Sequence, residues 1–161
     1  MSDKLSSPRD LFLHLLAEML WVERMLVFEV LPQLRKQVES ESLVAAVEEH
    51  LAQTHGHVAR VEEAFRALGA EPASARSAPA AALAAEHGEV VAKIAEPRLA
   101  DLFHAGAAIT TEHFEIASYD VLLELAPDAV RESLAQNREE EAQALELLRE
   151  LSGRLRGELS A

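Results

Sequence analysis

Apolar residues recur three and four positions apart along four long stretches of this chain, the spacing that gathers side chains on one face of an α-helix. The first stripe reads Phe12, Leu16, Met19, Glu23, Leu26, Val30, and the second Leu43, Val47, His50, Thr54, His57, Val61, Phe65, Leu68. The third reads Ala105, Ile109, Glu112, Ile116, Tyr119, Leu123, and the fourth Val130, Leu134, Asn137, Glu141, Ala144, Leu148, Leu151, Leu155. Each stripe is interrupted near its middle by a charged or metal-capable side chain. A carboxylate taken alone into such a core costs several kcal/mol, so it needs a cation, a hydrogen-bond network or a metal ion beside it.

Helix-end signals divide the chain. Ser7-Pro8-Arg9-Asp10 combines a serine cap, proline at the first helical position and an acid near the positive end of the dipole. A first helix is predicted over residues 8–38, with a kink or early end at Pro32. A capping serine in the polar break 39–42 opens a second helix, which runs to Leu68 and stops at Gly69 and Pro72. Residues 70–80 are small, have little to bury and are predicted as the most mobile stretch; a short helix over 81–95 follows. A third helix spans 99–125, and Pro127 opens a fourth that runs to Leu155 before Gly157 lets the tail fray. Two tight hairpins joined by a crossover over 70–98 give an all-α fold: a single domain over 1–161, built as an up-down-down-up, ferritin-like four-helix bundle with a short extra helix in the crossover.

Register supports a shared interior site. Folding the first hairpin near residue 39 or 40 sets Glu23 level with about residue 56, beside Thr54 and His57. Folding the second near residue 126 or 127 sets Glu112 level with Glu141.

Composition narrows the chemistry. The chain has 161 residues, is 49% hydrophobic and carries a formal charge of −13, which argues against nucleic acid because a basic footprint is missing. With no cysteine, any metal must use carboxylate and imidazole. The N-terminus lacks the pattern of a signal peptide, and no apolar run reaches the ~20 residues that cross a bilayer. A cytoplasmic protein without membrane association is therefore expected. Trp21, Leu20, Phe28 and Leu13 lie around the first helix beyond what one stripe buries, which points to a homodimer.

Further identity comes from particular runs. Asp10-Leu11-Phe12 through Val22-Glu23-Arg24, then Glu49-His50-Leu51 with Thr54, His57, Arg60 and Glu62, then Glu112-His113-Phe114-Glu115-Ile116-Ala117 with Tyr119, resemble the bacterial YciE/YciF-type ferritin-like family. The resemblance covers about residues 8–152 and implies a four-helix bundle, a dinuclear metal site of the di-iron kind and a link to stress responses. The sequence departs from the usual di-iron pattern of a Glu-x-x-His pair on two helices. Three before His57 stands Thr54, and three after Glu140 and Glu141 stand Gln143 and Ala144.

The candidate ligands are Glu23, His57, Glu112, Glu115, Glu141 and His50. Glu141 is the inward member of the run Glu139-Glu140-Glu141, and Glu115 lies one turn beyond Glu112. Iron is the first candidate metal, with manganese and zinc also suited to such donors. Iron in a site with an open position would support ferrous oxidation or peroxide handling; whether the protein is an enzyme stays open. Tyr119 should bond a site carboxylate. His113 is expected near the Leu102, Gly106, Ile109 edge, His55 in solvent, and Glu86 and His87 as ordinary residues of the crossover helix. The competing function is a structural or interaction bundle whose buried polar residues form a metal-free network.

Overall fold

The computed structural model describes residues 4–160. Its helices are α1 (Pro8–Met25), α2 (Leu31–Gln37), α3 (Glu41–Ala67), α4 (Ala78–Val91), α5 (Pro97–Leu125) and α6 (Asp128–Leu159), with a π-turn, Leu26–Val30, joining α1 to α2. Among the described residues there is no strand, and no helix is long and apolar enough to cross a membrane.

The local chemistry of the ends follows the sequence signals. Ser7 Oγ accepts from Asp10 N–H at 3.1 Å and Ser40 Oγ from Leu43 N–H at 3.5 Å, each holding one amide that the helix itself leaves unpaired. Gly69, at φ +68°, ends α3, and Ala70 N–H reaches back to Phe65 O at 2.9 Å. The expected kink at Pro32 takes a specific form. Proline has no N–H to return to Phe28 O, and one residue earlier Leu31 N–H reaches back five residues to Leu26 O. In this wider turn Phe28 is 70% exposed, next to buried Leu26 and Val27.

Helices α1, α3, α6 and α5 pack as a closed ring, each touching the next. Arg9 at the start of α1 bonds Leu68 O at the end of α3, and Phe12 clusters with Phe65, Leu122 and Val130. One end of the bundle therefore gathers the start of α1, the ends of α3 and α5 and the start of α6, which is the up-down-down-up order. Asp101 of α5 accepts from Glu39 N–H at 3.1 Å and Ser40 N–H at 2.7 Å, capping α3 and tying the two hairpins together.

Some boundaries differ from expectation. The crossover helix begins at Ala78 rather than 81 and ends at Val91, and α6 continues through Gly157 to Leu159. Nor does the linker before α4 lack anything to bury. Ala75 N–H bonds Ala17 O at 3.0 Å, and Ser77 and Ala80 are buried, so the segment is seated on the bundle. Leu20, expected on an exposed flank, is fully buried; Trp21 and Leu13 are half-buried and pack against the core.

The core is not continuous. One apolar cluster holds Phe12, Leu16, Val61, Phe65, Leu122 and Leu134; the other holds Leu26, Leu31, Val47, Ala105, Leu148 and Leu151. Between them on every ring helix stands a polar layer: Glu23 on α1, His50 to His57 on α3, Glu112 and Glu115 on α5, Asn137 and Glu141 on α6.

Candidate metal centre

The four stripe interruptions meet in that layer. Glu23, Thr54, His57, Glu115 and Glu141 are wholly inaccessible to solvent, Glu112 nearly so, and His50 lies at the edge of the layer. Two overlapping groups form. His50, Glu112, Glu115 and Glu141 each bring a donor atom within 4.8 Å of the others, and so do Glu23, His57 and Glu141. Glu141 belongs to both, one oxygen toward each: His57 Nδ1 is 2.8 Å from its Oε1, and His50 Nε2 is 3.8 Å from its Oε2 and 3.3 Å from Glu112 Oε1. The histidines stand two turns apart on α3 with ring centres 6.4 Å apart, one serving each group.

Not every short distance here is a hydrogen bond. Eight buried side-chain atoms have no hydrogen-bond partner: Glu23 Oε2, His50 Nδ1, His57 Nδ1, Glu112 Oε2 and both oxygens of Glu115 and of Glu141. Among the described residues these are the only such atoms, and all belong to the six residues singled out by stripe and register. Buried polar atoms are paired in the great majority of cases, so eight orphans in one place need a cause.

The surroundings of the two groups differ. Tyr119 donates its hydroxyl hydrogen to Glu23 Oε1, and Asn137 Nδ2 donates to Tyr119 Oη at 2.8 Å and to His57 O at 3.4 Å. His57 Nε2 faces Glu140 Oε2 at 2.9 Å, and Arg60 clamps Asn137 Oδ1 and Glu140 Oε2 together. A carboxylate behind a histidine fixes which ring nitrogen faces the site, as around metal-bound imidazoles. Around His50 the support is slighter: Thr54 Oγ1 donates to the His50 carbonyl at 2.7 Å, Gln53 approaches the ring, and His50 Nδ1 has no hydrogen-bond partner.

Electrostatics reflect crowded acids. Burial, then the charges of Glu141 and its neighbours, push the Glu112 and Glu115 carboxyls well above their ordinary range. Burial also raises Glu23, against the pull of His57. Burial pulls the His57 pKa down, but contact with Glu141 and Glu23 overcomes it and raises it to about 10. Burial lowers His50, while Glu141, opposed by burial, is held low by His57 and His50. Without an ion, then, the layer holds a proton on His57 beside a negative Glu141, while burial and like charge work against ionisation of Glu112 and Glu115.

Other residues fall where the sequence placed them, with two exceptions. His55 and Glu139 are exposed, and Tyr119 bonds a site carboxylate as expected. His113 does not face the Leu102 edge; it is exposed, 3.2 Å from Arg149 Nη2. His87 is no ordinary crossover residue, because its Nε2 pairs with the Nδ1 of buried His104 at 2.8 Å. Sequence reasoning gave no part to Asn137, Arg60 or Glu140 as supports. Asn137 had a signal, one turn before Glu141 on the fourth stripe, whereas the clamp of Arg60 needs the packing of α3 on α6.

Fold and site together define a ferritin-like helical bundle with a buried His/Glu cluster. The chain belongs to the family described as Domain of unknown function (DUF892), whose pattern it matches over residues 7–158. It is 30% identical over 118 residues to Protein YciF of Escherichia coli (strain K12), an alignment covering 73% of this chain and 70% of that protein. The crystal structure of the E. coli stress protein YciF superposes with a TM-score of 0.89 at 26% identity, covering 95% of this chain and 99% of that one. YcfI of Rhodopseudomonas palustris, provisionally described as a structural protein, superposes with a TM-score of 0.90 at 27% identity, covering 92% and 97%. The YciE/YciF-type resemblance is thereby borne out.

Proposed function

We propose that the polar layer is a dinuclear centre for divalent metal ions and that the protein works as a ferritin-like metalloprotein. The eight orphaned atoms carry this conclusion: they converge from all four ring helices, belong only to residue types that ligate hard or borderline metals, and form two groups sharing Glu141. Four carboxylates and two neutral histidines balance the charge of two divalent ions, which removes the like-charge crowding that otherwise raises the Glu112 and Glu115 carboxyls. Glu23, His57 and Glu141 would hold one ion; His50, Glu112, Glu115 and Glu141 the other. Iron would supply redox chemistry toward dioxygen or peroxide, in keeping with the stress description of YciF; manganese or zinc would suit the same donors. The chain's own contribution is placement: Glu140 turns His57 Nδ1 inward, and Tyr119 orients Glu23. A cytoplasmic setting and a homodimer belong to the same proposal, with exposed Phe28 on the π-turn and half-buried Trp21 and Leu13 as apolar surface. Sedimentation as a monomer at tens of micromolar would remove the dimer and leave the centre.

A second function has its own support. The chain Arg60–Asn137–Tyr119–Glu23, together with the charged His57, is a connected network that could fix helix register without metal. The provisional structural description of YcfI is in the same spirit. Titrating chelator-stripped protein with manganous ion and with ferrous ion under anaerobic conditions separates the two: saturable uptake with proton release supports the centre, and its absence leaves the network.

A further inference from the structure

A cavity of about 560 Å³ lies between the crossover helix α4 and the bundle, with His50 and Glu112 in its lining. Its size falls in the range of small-molecule sites. The walls are apolar, from Met25 and Leu26 at the π-turn, Leu83 on α4 and Leu102 on α5, and no lysine or arginine lines it. Polar groups are set among these walls: His50 and Glu112; the His87–His104 pair, rings edge-to-face with centres 5.0 Å apart and Phe103 tilted against His87 at 5.6 Å; and Glu86, Thr110, Thr111 and Ser152. His104 and Glu112 are eight residues apart on α5, or about 12 Å along the helix axis.

We propose that this cavity binds a neutral aliphatic molecule of roughly eight to ten carbons with one hydroxyl or carbonyl head, its chain lying between the His87–His104 pair and the open side of the metal centre. An anionic head has no cation to meet in the cavity. Burial lowers the pKa of His87 and, with the neighbouring ring, that of His104, so the pair offers hydrogen bonds and no positive charge. A polymeric partner does not suit a pocket roofed by α4. The role of the cavity as the substrate site of the centre rests on the proposed metal function; its capacity to bind does not.

Calorimetric titration of the full chain with 1-octanol, octanal and octanoate, first chelator-stripped and then manganese-loaded, tests both parts. Gly106→Leu is the filling variant, since Gly106 lines the cavity, a Cβ there meets nothing within 4 Å, and leucine improves helix propensity. Expected are saturable binding of octanol or octanal to stripped protein, at least tenfold weaker binding of octanoate, and at least tenfold loss in Gly106→Leu, with His55→Leu on the surface unchanged. No binding of octanol or octanal, octanoate binding as tightly as they do, or affinity unaffected by Gly106→Leu would each overturn the proposal. Binding to stripped protein that takes up no manganese would keep the pocket and remove the centre. Manganese uptake without octanol or octanal binding would do the reverse.

Discussion

The two halves of the polar layer share Glu141 and little else. Glu23 and His57 are steadied from behind, by Tyr119, Asn137, Glu140 and Arg60, and neither lines the two cavities beside His50. Around His50, Glu112 and Glu115 four side-chain atoms stand without a hydrogen bond, and two cavities converge on His50 and Glu112: the large one under α4 and a smaller one of about 100 Å³ between α3 and α6, past Glu49, Gln53 and Gln143. One half is built to keep its geometry whether or not an ion is present. The other makes physical sense only when something binds there, and it is the half that a ligand from solvent can reach.

Removing the residue common to both halves should have the largest effect. Glu141→Ala should take metal content from about two ions per chain to below about 0.2, because each group loses an oxygen, whereas Glu139→Ala on the exposed neighbour should change nothing. Elemental analysis of untagged protein checks it. Equal content in the two variants would show that the halves are not coupled through Glu141.

A sharper division comes from stability. Glu115 has both oxygens orphaned and no hydrogen-bonded support, so Glu115→Met should stabilise the metal-free fold by about 1–3 kcal/mol, or roughly 3–8 °C in Tm, and destabilise the metal-loaded one. Crowding of carboxylates alone would give Glu23→Met the same sign reversal. The bond from Tyr119 removes that expectation, since Glu23→Met leaves Tyr119 and Asn137 short of an acceptor and should destabilise both forms. Tyr119→Phe should be milder: about 1–2 kcal/mol lost and metal affinity in the supported half reduced about tenfold, with the open half unaffected. Thermal melts with and without chelator, and competitive titration against a metal indicator, read these outcomes.

The effect most diagnostic in sign concerns pH. His57 has its folded pKa raised to about 10, so the stability it contributes is fully present below its unfolded value near 6.5 and is lost as pH climbs toward 10. The raised Glu112 and Glu115 act in the same direction above their ordinary range. Metal-free protein should therefore lose Tm steadily from pH 7 to pH 10. Ions displace those same protons, so the increment from manganese should grow between pH 6 and pH 8.5. An increment that shrinks over that interval would mean that the ion binds elsewhere.

Much of this was legible before any coordinates. The four helices, their order and the six converging residues follow from the period of the stripes and the position of the hairpin turns, because a ring of amphipathic helices leaves an inward residue nowhere else to go. What the sequence concealed depends on packing between helices. The π-turn is a choice of hydrogen-bond partner that Pro32 permits but does not dictate. Arg60, on the flank of α3, reads as a surface cation until α6 brings Asn137 and Glu140 beneath it. His87 and His104 are seventeen residues apart on different helices, and only the docking of α4 pairs them. Leu20 was misplaced because α1 is buried over a wider arc than one stripe describes.

The most direct test is the metal stoichiometry of untagged protein, stripped with chelator, titrated anaerobically with ferrous ion and, separately, with manganous ion, then desalted and measured by elemental analysis with proton release recorded during titration. Two tightly held ions per chain, with protons released at pH 7 and both ions lost in Glu141→Ala, are the predicted result. Absence of retained metal, with Tm indifferent to both ions, would contradict the centre and leave the buried layer as a hydrogen-bonded network.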